Sequence, residues 1–305
     1  MFIYTLKRLA LAALVAFAVS VLAFVLVRLT GDVAIAIAGE GARADDIAAV
    51  RQQYGLDRPL VVQYVEWLGR TLKGDFGQSL YFKTPVTELI GDKIQTTAVL
   101  ALLSIAFALI LSIPLGVMAA VWQNSWIDRL CLGLAVAGQA LPNFFFALCL
   151  IMVFSIGLGW LPVSGADSWW HFIMPTVALG YYVTPPFMRL VRAGMIEVLN
   201  ADYIRTARAK GLPPATVVLR HALRNALVPV VALTAVQLGF LLGGSIVIET
   251  VFALDGLGYL AYQAIAQKDF PVIQAVLLML SVAYVLLTLG ADLVNAWLDP
   301  RIRVG

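Results

Sequence analysis

The sequence predicts an all-α membrane protein with six transmembrane helices, and two observations predict this class. Hydrophobic residues make up 61% of the chain and charged residues only 13%, whereas about 25% of a soluble domain is charged. In addition, six runs are uncharged or nearly so over at least about 19 residues, enough to cross a bilayer as a helix. These runs are Leu9–Val27, Thr97–Trp122, Leu130–Ile156, Phe172–Leu190, Ala226–Ile248 and Val272–Trp297.

The first apolar run has two interpretations. A secretory signal peptide would also start with basic residues such as Lys7 and Arg8, and Ala36-Ile37-Ala38 could mimic a cleavage site. A signal core is about 7–15 residues long, however. The longer uncharged run Leu9–Val27 therefore favours a first transmembrane helix within residues 1–30.

Residues 31–95 predict a small helical layer outside the bilayer. Ala44–Tyr54 is typical of a short helix that Gly55 ends, and Pro59 can begin a second one. The second helix carries a broad apolar stripe of Val61, Val62, Val65, Leu68 and Leu72. A segment of this length with amphipathic helices indicates a folded layer on the membrane face rather than a disordered linker.

The charges predict the orientation. Basic residues concentrate in the loops on the side of the two termini, whereas the two short opposite loops offer only Lys268. The positive-inside rule therefore places both termini and residues 193–225 in the cytoplasm. Residues 96–298 would then form a core of five helices that contains this cytoplasmic loop, and residues 299–305 a cytoplasmic tail.

The segment Glu197–Pro229 is the most charged stretch between two apolar runs. Asp202, Arg205 and Arg208 recur at helical spacing, Gly211 is typical of a helix stop, and two prolines then favour a new helix. A helix–Gly–helix unit of this kind suits docking of a soluble partner, and a solvated loop is the alternative. We expect Tyr203, Ala207 and their neighbours to form a narrow docking face, with the basic residues around it.

The stretch Arg205-Thr206-Ala207-Arg208-Ala209-Lys210-Gly211 resembles the EAA loop of bacterial ABC-importer permeases. The form is that of the dipeptide/oligopeptide/nickel class, in which arginine replaces the glutamate of the general pattern. The resemblance implies the type I ABC importer permease fold and a helix that couples ATPase closure to alternating access. The residues it assigns to coupling are Glu197, Asp202, Tyr203, Arg205, Thr206, Ala207, Arg208, Ala209, Lys210 and Gly211.

Further phrases along the chain resemble the same class: YGLDRPL, GDFGQS, LLGGSIVIETVF, DGLG, KDFP and DPRIR. Within the class, AAVWQNSWIDRL and GWLPVSGADSW are closest to glutathione-import permeases. The resemblance implies a subunit that moves dipeptides, oligopeptides or glutathione across the bacterial inner membrane. A permease of the same class for nickel or another small solute is the alternative.

Two other classes of function are disfavoured by the residues themselves. An ion-coupled secondary transporter would need carboxylates inside the bilayer, where the sequence offers only Asp292 near a span end. An intramembrane enzyme would need a catalytic pair at depth, and the runs contain none. Cys131 and Cys149 lie in an apolar run and are interpreted as reduced packing residues, and His171 and His221 stand too far apart in sequence to suggest a metal site.

The family resemblance also implies the partners. They are a second homologous permease subunit in a heterodimer, one or two ABC ATPase subunits, a periplasmic or lipid-anchored substrate-binding protein, and membrane lipid. Nucleic acid is not expected. No cofactor is expected in this chain, since ATP and Mg would be held by the ATPase subunits, which carry out the only chemistry.

Polar residues within the apolar runs are candidates for the translocation path, because such residues are costly in a bilayer. They are Gln139, Asn143, Gln237, Ser281 and Tyr284. Hydrogen bonding between helices is the alternative role for each of them. Gly239, Gly243 and Gly244 form a small-residue face that predicts close helix packing, either within the chain or with a second permease.

Overall fold

The computed structural model describes residues 2–39 and 41–298, so the predicted tail at residues 299–305 lies outside the described residues. The described ranges consist of helices and the turns between them, with one isolated bridge that pairs Gln78 with Pro85. The expected all-helical architecture is therefore confirmed for this part of the chain.

Four helices precede the core: α1 Phe2–Thr30, α2 Val33–Ala38, α3 Ala44–Gln53 and α4 Leu60–Thr71. The two predicted short helices correspond to α3 and α4. In α4 the ring of Tyr64 packs edge-on against Phe24 of α1 at 5.4 Å between centroids, and its hydroxyl lies 2.7 Å from that of Ser20. Because α4 contacts α1 through Tyr64 and Gln63, its apolar stripe stays exposed, with Val61 at 73%.

Eleven further helices complete the described chain. They are α5 Val86–Val121, α6 Trp126–Ala140, α7 Asn143–Leu150, α8 Trp170–Leu199, α9 Asp202–Ala209, α10 Pro214–Thr216, α11 Leu223–Ala226, α12 Val228–Gly244, α13 Ile246–Val251, α14 Leu257–Ala266 and α15 Phe270–Leu298. Wider π-helical turns continue α7 over Ile151–Gly157 and join α10 to α11 over Val217–Ala222.

Three segments within these helices are long and apolar enough to cross a membrane: Thr5–Leu29, Val86–Val121 and Phe270–Val294. Two bent pairs, α6 with α7 and the α10–α11 segment with α12, raise the number to five if each pair is one span. The fourth predicted run lies within α8, which contains Pro175, Pro185 and Pro186. The count of six spans thus stays a prediction.

The third predicted run, Leu130–Ile156, is not one straight helix. The axes of its two halves differ by 97° at a break of two residues, Leu141 and Pro142. Leu141 is extended, with ψ at 143°. Pro142 lacks the N–H that would continue the hydrogen-bond ladder of α6, and its fixed φ suits the start of α7.

The main core is the buried cluster in which α5, α7, α8, α9, α12 and α13 meet. At its centre α5 and α8 run side by side at distances that only glycine permits. A Cβ on Gly180 would lie 2.7 Å from the carbonyl oxygen of Ser104, and one on Gly116 would lie 2.7 Å from Cβ of Val191. Close backbone approach of this kind holds helices together where lipid gives little hydrophobic drive.

Candidate coupling helix and translocation path

The predicted docking segment forms α9, which follows α8 after a two-residue turn. Ala201 is extended, with ψ at 151°, and Asp202 places a negative charge in the first turn. The helix ends at Ala209, and Gly211 has φ of +72°, the left-handed conformation expected of a helix stop. Pro213 and Pro214 then lead into α10. The predicted helix–Gly–helix unit is therefore confirmed.

One face of α9 is buried in the chain itself. Ile204 is 0% exposed and Ala207 is 7% exposed. Both belong to the main core, together with Val217 and Ala222 of the π-helical turn that follows α10. The prediction that Ala207 lies on a docking face is therefore wrong. Its small side chain allows α9 to pack closely on the rest of the chain.

The opposite face of α9 is open. Asp202, Arg205, Thr206 and Ala209 are all exposed and follow the i, i+3, i+4, i+7 spacing of a single helical face. Arg205 Nη1 lies 3.3 Å from Asp202 Oδ1, a surface pair that contributes little stability. This outward face, defined by these four residues, is the part of α9 that another protein can contact.

The remaining predicted coupling residues flank the outward face. Glu197, Arg208, Lys210 and Gly211 are exposed. Tyr203 is 44% exposed, and its hydroxyl accepts a hydrogen bond of 2.8 Å from the side-chain amide of Asn225. That bond fixes α9 to α11. Among the residues predicted for coupling, Ala207 alone is buried.

The five candidate path residues lie in two places. Gln139, which is exposed, and Asn143, which is half-buried, flank the bend between α6 and α7. Gln237 lies on α12, which packs along α15, where Ser281 and Tyr284 are found. Within residues 2–39 and 41–298, none of these five side chains makes a hydrogen bond. Their polar groups are therefore available to a solute or to another subunit.

The three glycines predicted for helix packing differ from one another. A Cβ on Gly239 would lie 2.5 Å from the ring of Tyr284 on α15, so this glycine permits the close contact of α12 with α15. A Cβ on Gly243 would meet nothing within 4 Å, and one on Gly244 only the ring of Phe240 on the same helix. Packing within the chain thus explains Gly239 but not Gly243 or Gly244.

Two arrangements were not expected from the sequence. The first is an ion pair in which Arg192 of α8 donates two hydrogen bonds, of 2.8 and 2.7 Å, to Asp128 of α6. The Asp128 side chain is 5% exposed and also accepts from the N–H of Asn124 at 3.0 Å. The pair joins the start of α6 to the part of α8 that leads into α9.

The second consists of two separate carboxylates, each of them fully buried. Glu249 of α13 accepts hydrogen bonds from Thr97, Ser245, Gly258 and Tyr259, and Asp269 accepts from Ser79, Leu80 and Tyr81. Both side chains belong to residues that are 0% exposed. Glu249 is the one charged residue between Arg224 and Asp255, and an isolated carboxylate of this kind is the signal by which sequence reading could have found it.

Comparison with known families agrees with these features. A family model described as binding-protein-dependent transport system inner membrane component matches residues 112–304. A second model, for the N-terminal part of such membrane components, matches residues 1–102. The chain belongs to this family of transport permeases. Its resemblance to bacterial ABC-importer permeases, read from the coupling loop, is confirmed.

Relatives with known names are similar over nearly the whole length. The permease is 46% identical over 301 residues to the glutathione transport system permease protein GsiC of Escherichia coli strain K12, with 98% of each chain covered. The same values hold for GsiC of Salmonella typhimurium strain LT2.

A solved structure shares the fold. The permease matches a chain of the MetNI methionine ABC transporter in an inward-facing conformation, with a TM-score of 0.60, over 69% of this chain and 96% of that one. The sequence identity is 22%, so this likeness concerns the fold. It confirms the ABC transporter permease fold, and the permease is a membrane subunit of a bacterial ABC importer.

Proposed function

We propose that this permease is one of two membrane subunits of an ATP-driven importer of glutathione or other short peptides. The observation that carries the proposal is the 46% identity to GsiC over 98% of both chains. The similarity therefore extends over nearly the whole chain, including the predicted spans and the predicted coupling loop. Nickel or another small solute is the alternative cargo within the same class.

The outward face of α9 supports coupling to an ATPase. It is a rigid, one-sided helix anchored in the main core through Ile204 and Ala207, so a push on the outward face displaces α8 and the segment after α10. The exposed Arg205 and Arg208 bring positive charge to the rim, which mainly sets orientation and association rate. ATP and Mg would be bound by the ATPase subunits, and this chain would make and break no covalent bonds.

The remaining assignments follow from the same proposal. The permease would lie in the bacterial inner membrane with six spans and both termini in the cytoplasm. Residues 31–95 and the outer loops would receive a periplasmic or lipid-anchored substrate-binding protein. A second homologous permease would complete the path, lined in this chain by the five candidates Gln139, Asn143, Gln237, Ser281 and Tyr284.

The cargo is tested with the intact complex in lipid vesicles. We expect ATP-dependent uptake of labelled glutathione that unlabelled dipeptides compete with and nickel does not. Co-purification identifies the ATPase subunits and the second permease. Uptake of nickel without uptake of glutathione would replace the cargo assignment, and ATP-independent uptake would reject the ABC importer.

Coupling is tested by placing a tryptophan on the outward face of α9. We expect Ala209→Trp to assemble but to lower uptake about tenfold or more, because a bulky ring separates surfaces that must meet closely. Ala13→Trp, at an exposed position of α1, is the matched control. Ala207→Trp is expected to impair folding itself. Normal uptake by an assembled Ala209→Trp complex would show that the outward face of α9 is solvated and docks no partner.

The topology is tested by labelling single cysteines from either side of the membrane. We expect Asp75→Cys to react from outside and Arg208→Cys from the cytoplasm. Both residues are exposed in the structure, so accessibility depends on the side and not on burial. Labelling of both from the same side would contradict six spans.

A further inference from the structure

A second hydrophobic cluster lies apart from the main core, at the end of the molecule that carries α14. It contains Val86 and Ile90 of α5, Leu260 of α14, and Val272 and Val276 of α15. At about 1.5 Å per residue, α5 is about 54 Å long, far more than the roughly 30 Å of hydrocarbon in a bilayer. The N-terminal part of α5, together with α14 and the start of α15, forms what we call the outer unit.

Asp269 binds the outer unit to the residues that precede α5. This carboxylate, in the turn between α14 and α15, accepts hydrogen bonds from the hydroxyl of Ser79 and from the N–H groups of Leu80 and Tyr81, the last two at 3.1 Å. Lys93 of α5 also forms an ion pair with Asp255, just before α14. Contacts from several directions therefore make the outer unit one packed body.

Glu249 lies where the outer unit meets the main core. Ile248 of α13 and Phe252, which follows the helix, are buried in the main core at 0% and 1% exposure. The Glu249 side chain points the other way. Its Oε1 accepts from Thr97 of α5 at 2.8 Å, and its Oε2 accepts from the N–H groups of Gly258 and Tyr259 of α14 at 2.8 and 3.1 Å.

The site around this carboxylate is shaped closely to it. A Cβ on Gly256 would lie 2.3 Å from Glu249 Oε2, and one on Gly258 would lie 3.0 Å from the same oxygen. Ser245 supplies a further hydroxyl at 2.8 Å, and Thr97 in turn accepts from the N–H of Leu257 at 2.8 Å. Every donor is neutral, and two are N–H groups in the first turn of α14, where a helix favours a negative charge.

We propose that Glu249 is a positioning residue that links the main core to the outer unit, so that movement of α9 by the ATPase also moves α14. The inference rests on the proposed coupling function of α9. Ile204 and Ala207 of α9 belong to the same packed core as Ile248 of α13 and the adjoining Phe252. Packed cores transmit displacement because they are close to incompressible. Glu249 then carries that displacement across to α5 and α14 through hydrogen bonds to both helices.

The same link works in both directions. Coupling between two sites is reciprocal, so a protein that docks on the outer unit would act on α9 through Glu249. The outer unit offers exposed groups for such contact, with Tyr262 at 52% and Ile265 at 63%. Loss of the Glu249 charge weakens the bonds to Gly258 and Tyr259 without removing them, because glutamine still accepts from backbone N–H groups.

The test follows the outer unit while nucleotide binds on the other side of the membrane. Tyr262→Cys carries a fluorescent thiol label, in a chain with Cys131→Ala and Cys149→Ala, within the assembled complex. We expect a non-hydrolysable ATP analogue to change the label's fluorescence. We expect Glu249→Gln to reduce that change about twofold or more, because neutral acceptors form weaker hydrogen bonds than a carboxylate.

A second pair of variants tests the same hydrogen bonds without changing Glu249, in case Glu249→Gln misfolds. Thr97→Val keeps the shape but removes the hydroxyl that bridges Glu249 and Leu257, and we expect a similar loss of response. Thr97→Ser keeps the hydroxyl, and we expect it to retain the response. Serine keeps both hydrogen bonds of Thr97 and valine keeps neither, so a response that follows the hydroxyl depends on these bonds and not on the size of the side chain.

Three outcomes overturn the proposal: no response in the parent complex, a normal response in Glu249→Gln, or equal responses in Thr97→Val and Thr97→Ser. Glutathione uptake by the parent complex is measured in parallel and does not enter this readout. A wrong cargo would abolish uptake and leave the label's response intact. A wrong coupling role for α9 would leave the response unchanged in Ala209→Trp, whereas a wrong role for Glu249 would leave it unchanged in Glu249→Gln, so these failures are distinguishable.

Discussion

Removal of the Arg192 guanidinium is expected to loosen the start of α6 from α8. In the structure Arg192 donates bonds of 2.8 and 2.7 Å to the two carboxylate oxygens of Asp128. One turn further along α6, Cys131 is 2% exposed and packs in a small cluster with Met188 of α8 and Ala119 of α5. Cys131 is therefore a natural reporter of whether α6 stays packed on α8.

The magnitude follows from the burial of the pair. The Asp128 side chain is 5% exposed. In Arg192→Gln its carboxylate keeps the hydrogen bond from the N–H of Asn124 but loses both bonds from the guanidinium. A hydrogen bond to a charged group is worth about 1.5–3 kcal/mol. Water can partly replace Arg192, whose side chain is 23% exposed, so we take one such bond as the net loss. The local opening equilibrium should then rise about 10- to 150-fold.

The assay is the reaction of Cys131 with a water-soluble maleimide, in a chain whose second cysteine is replaced by Cys149→Ala. When opening and closing are fast, the reaction rate is proportional to the open population. We expect Cys131 to react about 10- to 150-fold faster in Arg192→Gln than in the parent. Arg189→Gln, which removes the same charge from an exposed position one turn earlier on α8, is expected to change the rate less than about twofold.

An unchanged rate in Arg192→Gln would refute the reasoning, because the ion pair would then contribute nothing to holding α6 on α8. Equal acceleration in Arg189→Gln would refute it as well, since the effect would come from net charge and not from the bond to Asp128. Uptake measured on the same preparations shows whether this contact also matters for transport.

Two further outcomes are expected. Gly239→Ala should lower the melting temperature of the purified permease, because its Cβ would overlap the ring of Tyr284, whereas Gly243→Ala, with open space around it, should be neutral or stabilising; the reverse order would contradict the packing. Outside the span, the bond from Arg51 lowers the pKa of Asp32 below its ordinary 3.8, so this contact stabilises the start of α2 above that pH and is lost as the pH falls through the lowered pKa. The protection factors of the α2 amides, which are exchange rates corrected for the intrinsic effect of pH, should therefore fall on acidification in the parent but not in Asp32→Asn; an equal fall in both would contradict the assignment.

The sequence by itself determined the class of protein and the local shape of the coupling segment. Composition and uninterrupted apolar runs suffice for a membrane protein, because the thickness of the bilayer sets a length that can be read along the chain. The stop at Gly211 and the new start at Pro213 were equally local, since a cap depends on neighbouring residues alone. The resemblance of residues 205–211 to a known loop led to the family that the comparisons confirm.

Only the tertiary structure shows which face of a helix packs inside the chain and which face stays exposed. Period and residue size made Ala207 look like part of a docking surface, but the packing of α9 on the main core puts it inside and leaves Ala209 outside. The pattern of α9 does separate Ile204 and Ala207 from the polar face of Asp202, Arg205 and Thr206, but it does not tell whether the less polar face packs on this chain or on a partner. In the same way, three glycines of one stripe look alike in sequence, and only the position of Tyr284 separates Gly239 from Gly243.

Only the tertiary structure shows which groups bind the buried carboxylates. Thr97 and Glu249 are 152 residues apart in the chain, and Asp128 and Arg192 are 64 apart. No local pattern encodes which helices come together at such separations, because contact depends on the packing of the whole bundle. The sequence could show that a charge at Glu249 stands alone in an apolar stretch, but only the fold supplies the donors that make its burial favourable.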